Sequence, residues 1–144
     1  MKYQITDPRI KPEYMTPSSD GANSVDLRAC IAAPLTLAPG EQALISCGIK
    51  VELPLATMGT ILPRSGKGSQ GLVLGNLVGN VDSDYRGEVK VCLWNRSKVH
   101  QVIQPMERVA QFVVVLTHLP KWIQAGALSS TERDSGGFGS TGSK

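Results

Sequence analysis

Apolar residues along this chain come in short runs, each closed by turn-forming residues. Ala43-Leu44-Ile45-Ser46, Thr60-Ile61-Leu62, Val99 to Ile103 and Phe112-Val113-Val114-Val115-Leu116 are rich in Val, Ile and Leu. Between them lie Ala38-Pro39-Gly40-Glu41, Leu53-Pro54, Asn95-Arg96-Ser97 and Gln104-Pro105-Met106-Glu107, where proline, glycine and short polar residues favour turns. No stretch keeps a helical period. Short, regularly punctuated strands predict an all-β sandwich or barrel, with at most a short helix after Ser65.

One interval is more specific. Leu72-Val73-Leu74-Gly75-Asn76-Leu77-Val78 and Glu88-Val89-Lys90-Val91-Cys92-Leu93-Trp94 flank the polar stretch Gly79 to Gly87. In the second run Val89, Val91 and Leu93 alternate with more polar neighbours, as in a half-buried strand. The pattern predicts a β-hairpin whose tip carries Asp82, Asp84, Tyr85 and Arg86. From about Ser129 the chain turns Gly/Ser/Thr-rich with little to bury. The expected organisation is a single β domain over 1–128 followed by a flexible tail over 129–144.

Composition narrows the class. A chain of 144 residues with 41% hydrophobic and 19% charged content suits one globular domain with a real core. No apolar run approaches the roughly 20 residues of a membrane span, so no membrane partner is expected. The N-terminus, Met1 to Asp7, lacks the apolar core of a signal peptide, which predicts a cytoplasmic protein. Net charge is +3 without a basic stripe, which disfavours a nucleic-acid partner and suits a small polyanion. Cys30, Cys47 and Cys92 are odd in number and well separated, so they read as reduced packing residues. His100 and His118 have no ligand-like spacing with them, and no protein-built zinc site is expected.

Four groups could carry chemistry. Asp82 and Tyr85 at the hairpin tip can flank a small planar ligand, although a solvated Asp-rich turn fits the same residues. Pro63-Arg64-Ser65-Gly66 follows an apolar strand, and such a turn offers backbone N–H groups and a forked cation to phosphate. Ser65 can cap the helical turn that follows, and a plain surface turn is the alternative. Gln111 stands immediately before an apolar run and needs partners, from phosphate or from a neighbouring strand. Arg133 and Phe138 are an isolated cation and aromatic in a glycine-rich tail, suiting either a closing lid or a linker.

Read together, five segments resemble the ordered motif blocks of the trimeric dUTP diphosphatases (dUTPases). They are Ser24 to Ala29, Pro63 to Gly66, Gly79 to Gly87, Arg108-Val109-Ala110-Gln111, and Arg133 to Gly142. The resemblance spans nearly the whole chain. It departs from the family pattern at Asn23-Ser24, at Asn80 and at Asp134, where an Ala-Gly, an aliphatic residue and a glycine are usual.

The resemblance implies a distorted jelly roll that assembles as a homotrimer with shared active sites. The implied reaction is hydrolysis of dUTP to dUMP and pyrophosphate, with Asp82 as the general base for water attacking the α-phosphorus. Such an activity keeps uracil out of DNA and supplies dUMP for thymidylate synthesis. Arg64, Ser65, Gly66 and Gln111 would bind phosphates, and Arg108 would be structural, paired with a carboxylate. Asn76, Gly79, Asn80, Val81 and Lys90 would line the uracil pocket, and Tyr85 would pack on the deoxyribose. Backbone groups there would match the O4 acceptor and N3–H donor of uracil, a pattern cytosine inverts. In the tail, Phe138 would stack on the base while Arg133, Gly139, Ser140 and Thr141 meet the γ-phosphate. The implied cofactor is Mg2+, chelated chiefly by the three phosphates, with Asp26 touching it through water or acting structurally. A dCTP deaminase of similar fold, and a dUTP-binding regulator acting through a protein partner, are the competing readings.

Overall fold

The computed structural model describes residues 1–137. Ten strands follow in order: β1 (Lys2–Ile5), β2 (Ser24–Arg28), β3 (Leu35–Leu37), β4 (Gln42–Glu52), β5 (Thr57–Pro63), β6 (Leu72–Leu74), β7 (Gly79–Val81), β8 (Glu88–Asn95), β9 (Gln101–Ile103) and β10 (Arg108–Leu116). A 3₁₀ turn occupies Pro12–Met15, and a single short helix, α1, spans Ser65–Ser69. The all-β expectation and the short helix after Ser65 both hold.

All pairing is antiparallel. One sheet runs β1-β4-β8-β6, a second β2-β10-β5-β7, and β3 pairs with β9. Alternation sets the faces: in β8, Val89, Val91, Leu93 and Asn95 point inward while Lys90 is exposed. The core joins these to Ile45, Ile49, Leu72 and Leu74 of the first sheet and to Leu27, Ile61 and Phe112 of the second. Asn95 is fully buried yet satisfied. Its Nδ2 donates to the carbonyls of Leu37 (2.9 Å) and Val99 (2.7 Å), and its Oδ1 accepts from the N–H (3.0 Å) and hydroxyl (2.7 Å) of Ser97. β4 changes register between Ser46 and Lys50, where Gly48 takes φ +67° and leaves no room for a Cβ against Asp7 and Cys30.

The expected hairpin is corrected. Leu72–Val78 is not one strand: β6 ends at Leu74, and a turn over Gly75–Val78 carries the chain away to β7. Leu77 there adopts φ +61° with its side chain exposed. β6 and β8 belong to one sheet, whereas β7 pairs with β5 in the other. Asp82 to Gly87 is therefore a corner between two sheets rather than the tip of a paired ribbon. All three cysteines are free, as expected. No helix among the described residues is long and apolar enough to cross a membrane.

Candidate active site

Two cavities contain most of the residues singled out by the sequence, and they share none. The first, about 390 Å³, lies where β2, β10 and the β5–α1 turn meet, and it includes Asp26, Arg64, Ser65, Gly66, Arg108 and Gln111. Asp26 is its hub. One carboxylate oxygen accepts from Arg64 Nε at 2.7 Å and the other from Arg108 at 3.1 Å. Arg108 thus pairs with a carboxylate, as anticipated. Register places Gln111 between Asp26 on β2 and Leu62 on β5, inside β10 rather than ahead of it.

The turn after β5 differs from expectation in one detail. Arg64, with extended backbone, occupies the position before α1, and no side chain caps the helix; Ser65 is its first residue. Ser65 and Gly66 are exposed at the cavity wall. A Lys67–Glu107 ion pair ties α1 to the Gln104–Glu107 turn, and Glu107 also accepts from the Gln104 N–H at 2.8 Å. Burial pushes the Glu107 carboxyl up, but Lys67 and the Gln104 amide outweigh this and hold it below the usual range.

Arg28 also faces this cavity, and the sequence reading missed it. Its guanidinium stacks on Tyr14 at 4.0 Å and donates to the Met106 carbonyl at 2.9 Å. Its Nε is buried without a partner among the described residues. Period-two spacing was a usable signal, because Ser24, Asp26 and Arg28 alternate along β2 and all line the cavity. Arg108 and Gln111 share that face only because the β10–β2 register shifts between Arg108 and Ala110, which no alternation rule anticipates.

The second cavity, about 190 Å³, lies at the sheet-switching corner. Asn76, Gly79, Asn80, Val81, Asp82, Tyr85 and Lys90 line it with Ile61 and Glu88. Gly79 and Val81 are buried, and Val81 anchors the strand in the core. Asn80 is exposed, which explains why a polar residue is tolerated there. Glu88 is held by the Thr6 hydroxyl at 2.7 Å, and hydrogen bonds from Thr6 and Ser46 lower its carboxyl below the usual range. The Tyr85 N–H donates to the Asp82 carbonyl at 3.1 Å, closing the turn, and its hydroxyl donates to the Glu88 carbonyl at 3.1 Å.

Asp82 and Arg64 stand at opposite ends of β5. Val81 pairs with Gly59, so Asp82 lies level with Met58, and Arg64 is six residues further along the same β5 line. At about 3.3 Å per residue this is roughly 20 Å.

A match to the family model described as dUTPase covers residues 11–142 of this chain. The chain belongs to the dUTPase family. It is thus a dUTP diphosphatase, a hydrolase of nucleotide metabolism. A deoxyuridine 5'-triphosphate nucleotidohydrolase of Herminiimonas arsenicoxydans is 45% identical over 141 residues, covering 96% of this chain and 95% of that protein. Two solved dUTPase structures share the fold. That of the D95N mutant from phage phi11 of S. aureus, described with a structural Mg(II) ion, has a TM-score of 0.78 at 19% identity, covering 90% of this chain and 98% of that one. That of Staphylococcus bacteriophage 80alpha with dUPNHPP has a TM-score of 0.78 at 22% identity, covering 99% and 98%.

Arg133 lies in the segment after β10, which holds no strand or helix from Thr117 to Gly137. It is exposed, and its Nε donates to the Gly136 carbonyl at 2.9 Å. Asp134 has φ +42°, a conformation glycine accepts freely and Asp tolerates better than most residues. Phe138, Gly139 and Ser140 lie outside the described residues. No group of three His, Cys, Asp or Glu side chains that could hold a metal exists among the described residues.

Proposed function

We propose that this dUTPase hydrolyses dUTP to dUMP and pyrophosphate at a site assembled from different subunits of a homotrimer. The carrying observation is the separation of Asp82 from Arg64. A general base must reach its water within about 3 Å, and that water must sit on the phosphorus being attacked. The gap of roughly 20 Å between the Asp82 and Arg64 backbones, with the Arg64 side chain engaged by Asp26, favours supply of the two groups to one triphosphate by different chains. The corner of one subunit therefore meets the Arg64 turn of another. Exposed apolar side chains support assembly: Leu116 is 89% exposed and Trp122 95%, beside exposed Leu119, Ile123 and Leu128.

In this reading the Asp26 cavity takes the phosphates. Arg64 offers a fork to phosphate oxygens, and Ser65, Gly66 and Gln111 add hydrogen-bond donors. Asp26 aligns Arg64 and Arg108 before substrate arrives, which spares the reaction that reorganisation. The corner takes the nucleoside: β7 backbone and Asn76 read the uracil edge, Lys90 lines the pocket, and Tyr85 covers the deoxyribose. Cytosine, with donor and acceptor exchanged, would leave these groups unpaired. Asp82, exposed at the corner, takes the proton from the attacking water.

The residues fit Mg2+ carried by the triphosphate better than a protein cage, since no three-ligand cluster is present among those described. Asp26, already engaged by two guanidinium groups, can reach such an ion through water. When bound, the ion neutralises charge developing on the phosphate oxygens. Residues 129–144 act as a lid in which Arg133 meets phosphate.

The test is a panel of dUTP, dCTP, dTTP and UTP, read for pyrophosphate and ammonia, with Asp82→Asn alongside. The expected result is pyrophosphate from dUTP alone, with turnover lowered about 10²–10⁴-fold in the variant while nucleotide binding persists. Ammonia from dCTP, or normal turnover by Asp82→Asn, would defeat the proposal.

A further inference from the structure

The cavity at the corner owes its shape to a residue that contributes no side chain. The Tyr85 ring folds back across Gly87: a Cβ built on Gly87 would fall 2.3 Å from the Tyr85 hydroxyl oxygen, 2.4 Å from Cζ and 2.9 Å from Cε2. No other residue type allows the ring to lie there. The hydroxyl reaches past Gly87 to donate to the Glu88 carbonyl at 3.1 Å, so the ring is pinned at its far end. At its near end, Tyr85 N–H donates to the Asp82 carbonyl, and Arg86 donates to the carbonyls of Ser83 (2.8 Å) and Tyr85 (3.0 Å). These bonds fix the corner from which the ring projects.

Backbone conformation does not explain the glycine. The φ of Gly87 lies outside the left-handed region, so alanine is conformationally admissible there and only the ring stands in its way. The ring is also free to yield, because Tyr85 is 45% exposed. Adding one methyl group should thus leave the fold standing while displacing the aromatic wall of the nucleoside cavity.

We propose that Gly87 is a specificity-determining positioning residue: its bare α-carbon is the seat that holds the Tyr85 ring where a ribose 2′-hydroxyl would collide. The inference rests on the reading of Tyr85 as the residue that covers the sugar. Gly87 itself touches no substrate. Displacement of a positioned group by about 1 Å can cost two orders of magnitude in rate, so a displaced wall should be visible in the ratio of two substrates.

The experiment measures kcat/KM for dUTP and UTP in the wild type, Gly87→Ala, Tyr85→Ala, Tyr85→Phe and the Gly87→Ala/Tyr85→Ala double variant. Gly87→Ala should lower the dUTP-to-UTP preference by about tenfold or more. In the Tyr85→Ala background the same substitution should change the ratio by less than about twofold, since the group it displaces is gone. Tyr85→Phe, which keeps the seat but loses the Glu88 anchor, reports what the anchor adds; if Gly87→Ala does not fold, the double variant decides, since folding regained once the ring is gone supports the clash and continued failure overturns it. A preserved preference in Gly87→Ala, or an equal loss in both backgrounds, would overturn the role of the seat. A wild type that treats UTP and dUTP alike, or a Tyr85→Ala that keeps the preference, would remove the sugar-covering role beneath it as well.

Discussion

A site divided between subunits can be tested by mixing two inactive proteins. Asp82→Asn would remove the proposed base from the corner, and Arg64→Ala the proposed phosphate-binding cation, so in the proposed homotrimer either protein alone would carry a defect in every site. The defects lie on features roughly 20 Å apart on one chain, counted as six residues of β5 at about 3.3 Å each. If one subunit supplies the corner and its neighbour the Arg64 turn, a mixed trimer contains intact sites. An intact site needs a corner from an Arg64→Ala chain and a phosphate turn from an Asp82→Asn chain. With equal amounts and random assembly each condition has probability one half, so about a quarter of the wild-type activity should return.

The assay is kcat for dUTP after the two variants are unfolded together and refolded, against each refolded alone. The gain is large relative to background, because Asp82→Asn should lose the roughly 10²–10⁴-fold usual for a missing proton acceptor, and Arg64→Ala a phosphate cation of the kind worth about 10³–10⁵-fold. Activity in the mixture that stays at the sum of the two parents, with mixed trimers verified by differential tagging, would place the whole site on one chain and refute the argument. A mixed trimer holds one intact site of three, so a recovery between one quarter and one third would mean that mixed trimers form preferentially.

Gly59→Ala should destabilise the body of the protein, because its Cβ would fall 2.2 Å from Cζ of the buried Phe112 ring; overpacking of about 1–3 kcal/mol exceeds the roughly 0.4–1 kcal/mol gained from a less flexible unfolded chain, and Phe112→Leu in the same protein should restore part of the lost melting temperature. Acid stability should fall between about pH 4 and 2, because Arg9 lowers Asp7 from 3.8 to about 2 through side-chain and backbone hydrogen bonds; the folded-state pKa is the lower one, so the contribution is complete above the unfolded value and lost as pH falls through the folded one. A denaturation series on Arg9→Ala should show a shallower acid limb. Truncation after Ser130 should leave thermal melting nearly unchanged, since the removed residues make no strand or helix among those described, while kcat falls by orders of magnitude; full activity without the tail would reduce it to a terminus. Asp134→Gly should be neutral or activating, because it removes a charge beside Arg133 and places glycine at a φ of +42°.

The strands were legible because their cores obey simple alternation. Val89, Val91 and Leu93 of β8 are buried, as their spacing predicts, and every punctuation segment identified from proline, glycine and asparagine falls at a strand end. Legibility failed where the chain leaves a sheet without leaving apolar composition. Leu77 and Val78 extend the run Leu72–Leu74 in sequence, yet both are exposed, and the left-handed Leu77 belongs to a turn between two sheets. A pattern of residue types cannot separate an apolar turn from a strand continuation when the deciding partner, β5, lies earlier in the chain. The phosphate cavity was half legible for a similar reason. Ser24, Asp26 and Arg28 share a face by period two, whereas Arg108 and Gln111 do so through a bulge visible only in the pairing register.

The same corner also explains why selectivity and chemistry would be hard to separate in this enzyme. The phosphate cavity has two guanidinium groups around one aspartate, with a third beside Tyr14, and nothing in it distinguishes one nucleoside triphosphate from another. A chain holding that cavity and its own base would cleave triphosphates broadly. Here the proposed base follows Val81 directly, in the loop that also carries Tyr85 and beside the backbone that meets the pyrimidine edge. In the proposed arrangement, a nucleotide that does not seat against β7 would not bring its phosphorus to Asp82. Because proton transfer demands placement within a few tenths of an ångström, a poorly seated base lowers kcat as well as raising KM. Discrimination by this route needs no contact between the phosphate turn and the base. It would follow from the proposed attachment of the proton acceptor to the loop that meets the pyrimidine, with the cations supplied by another chain.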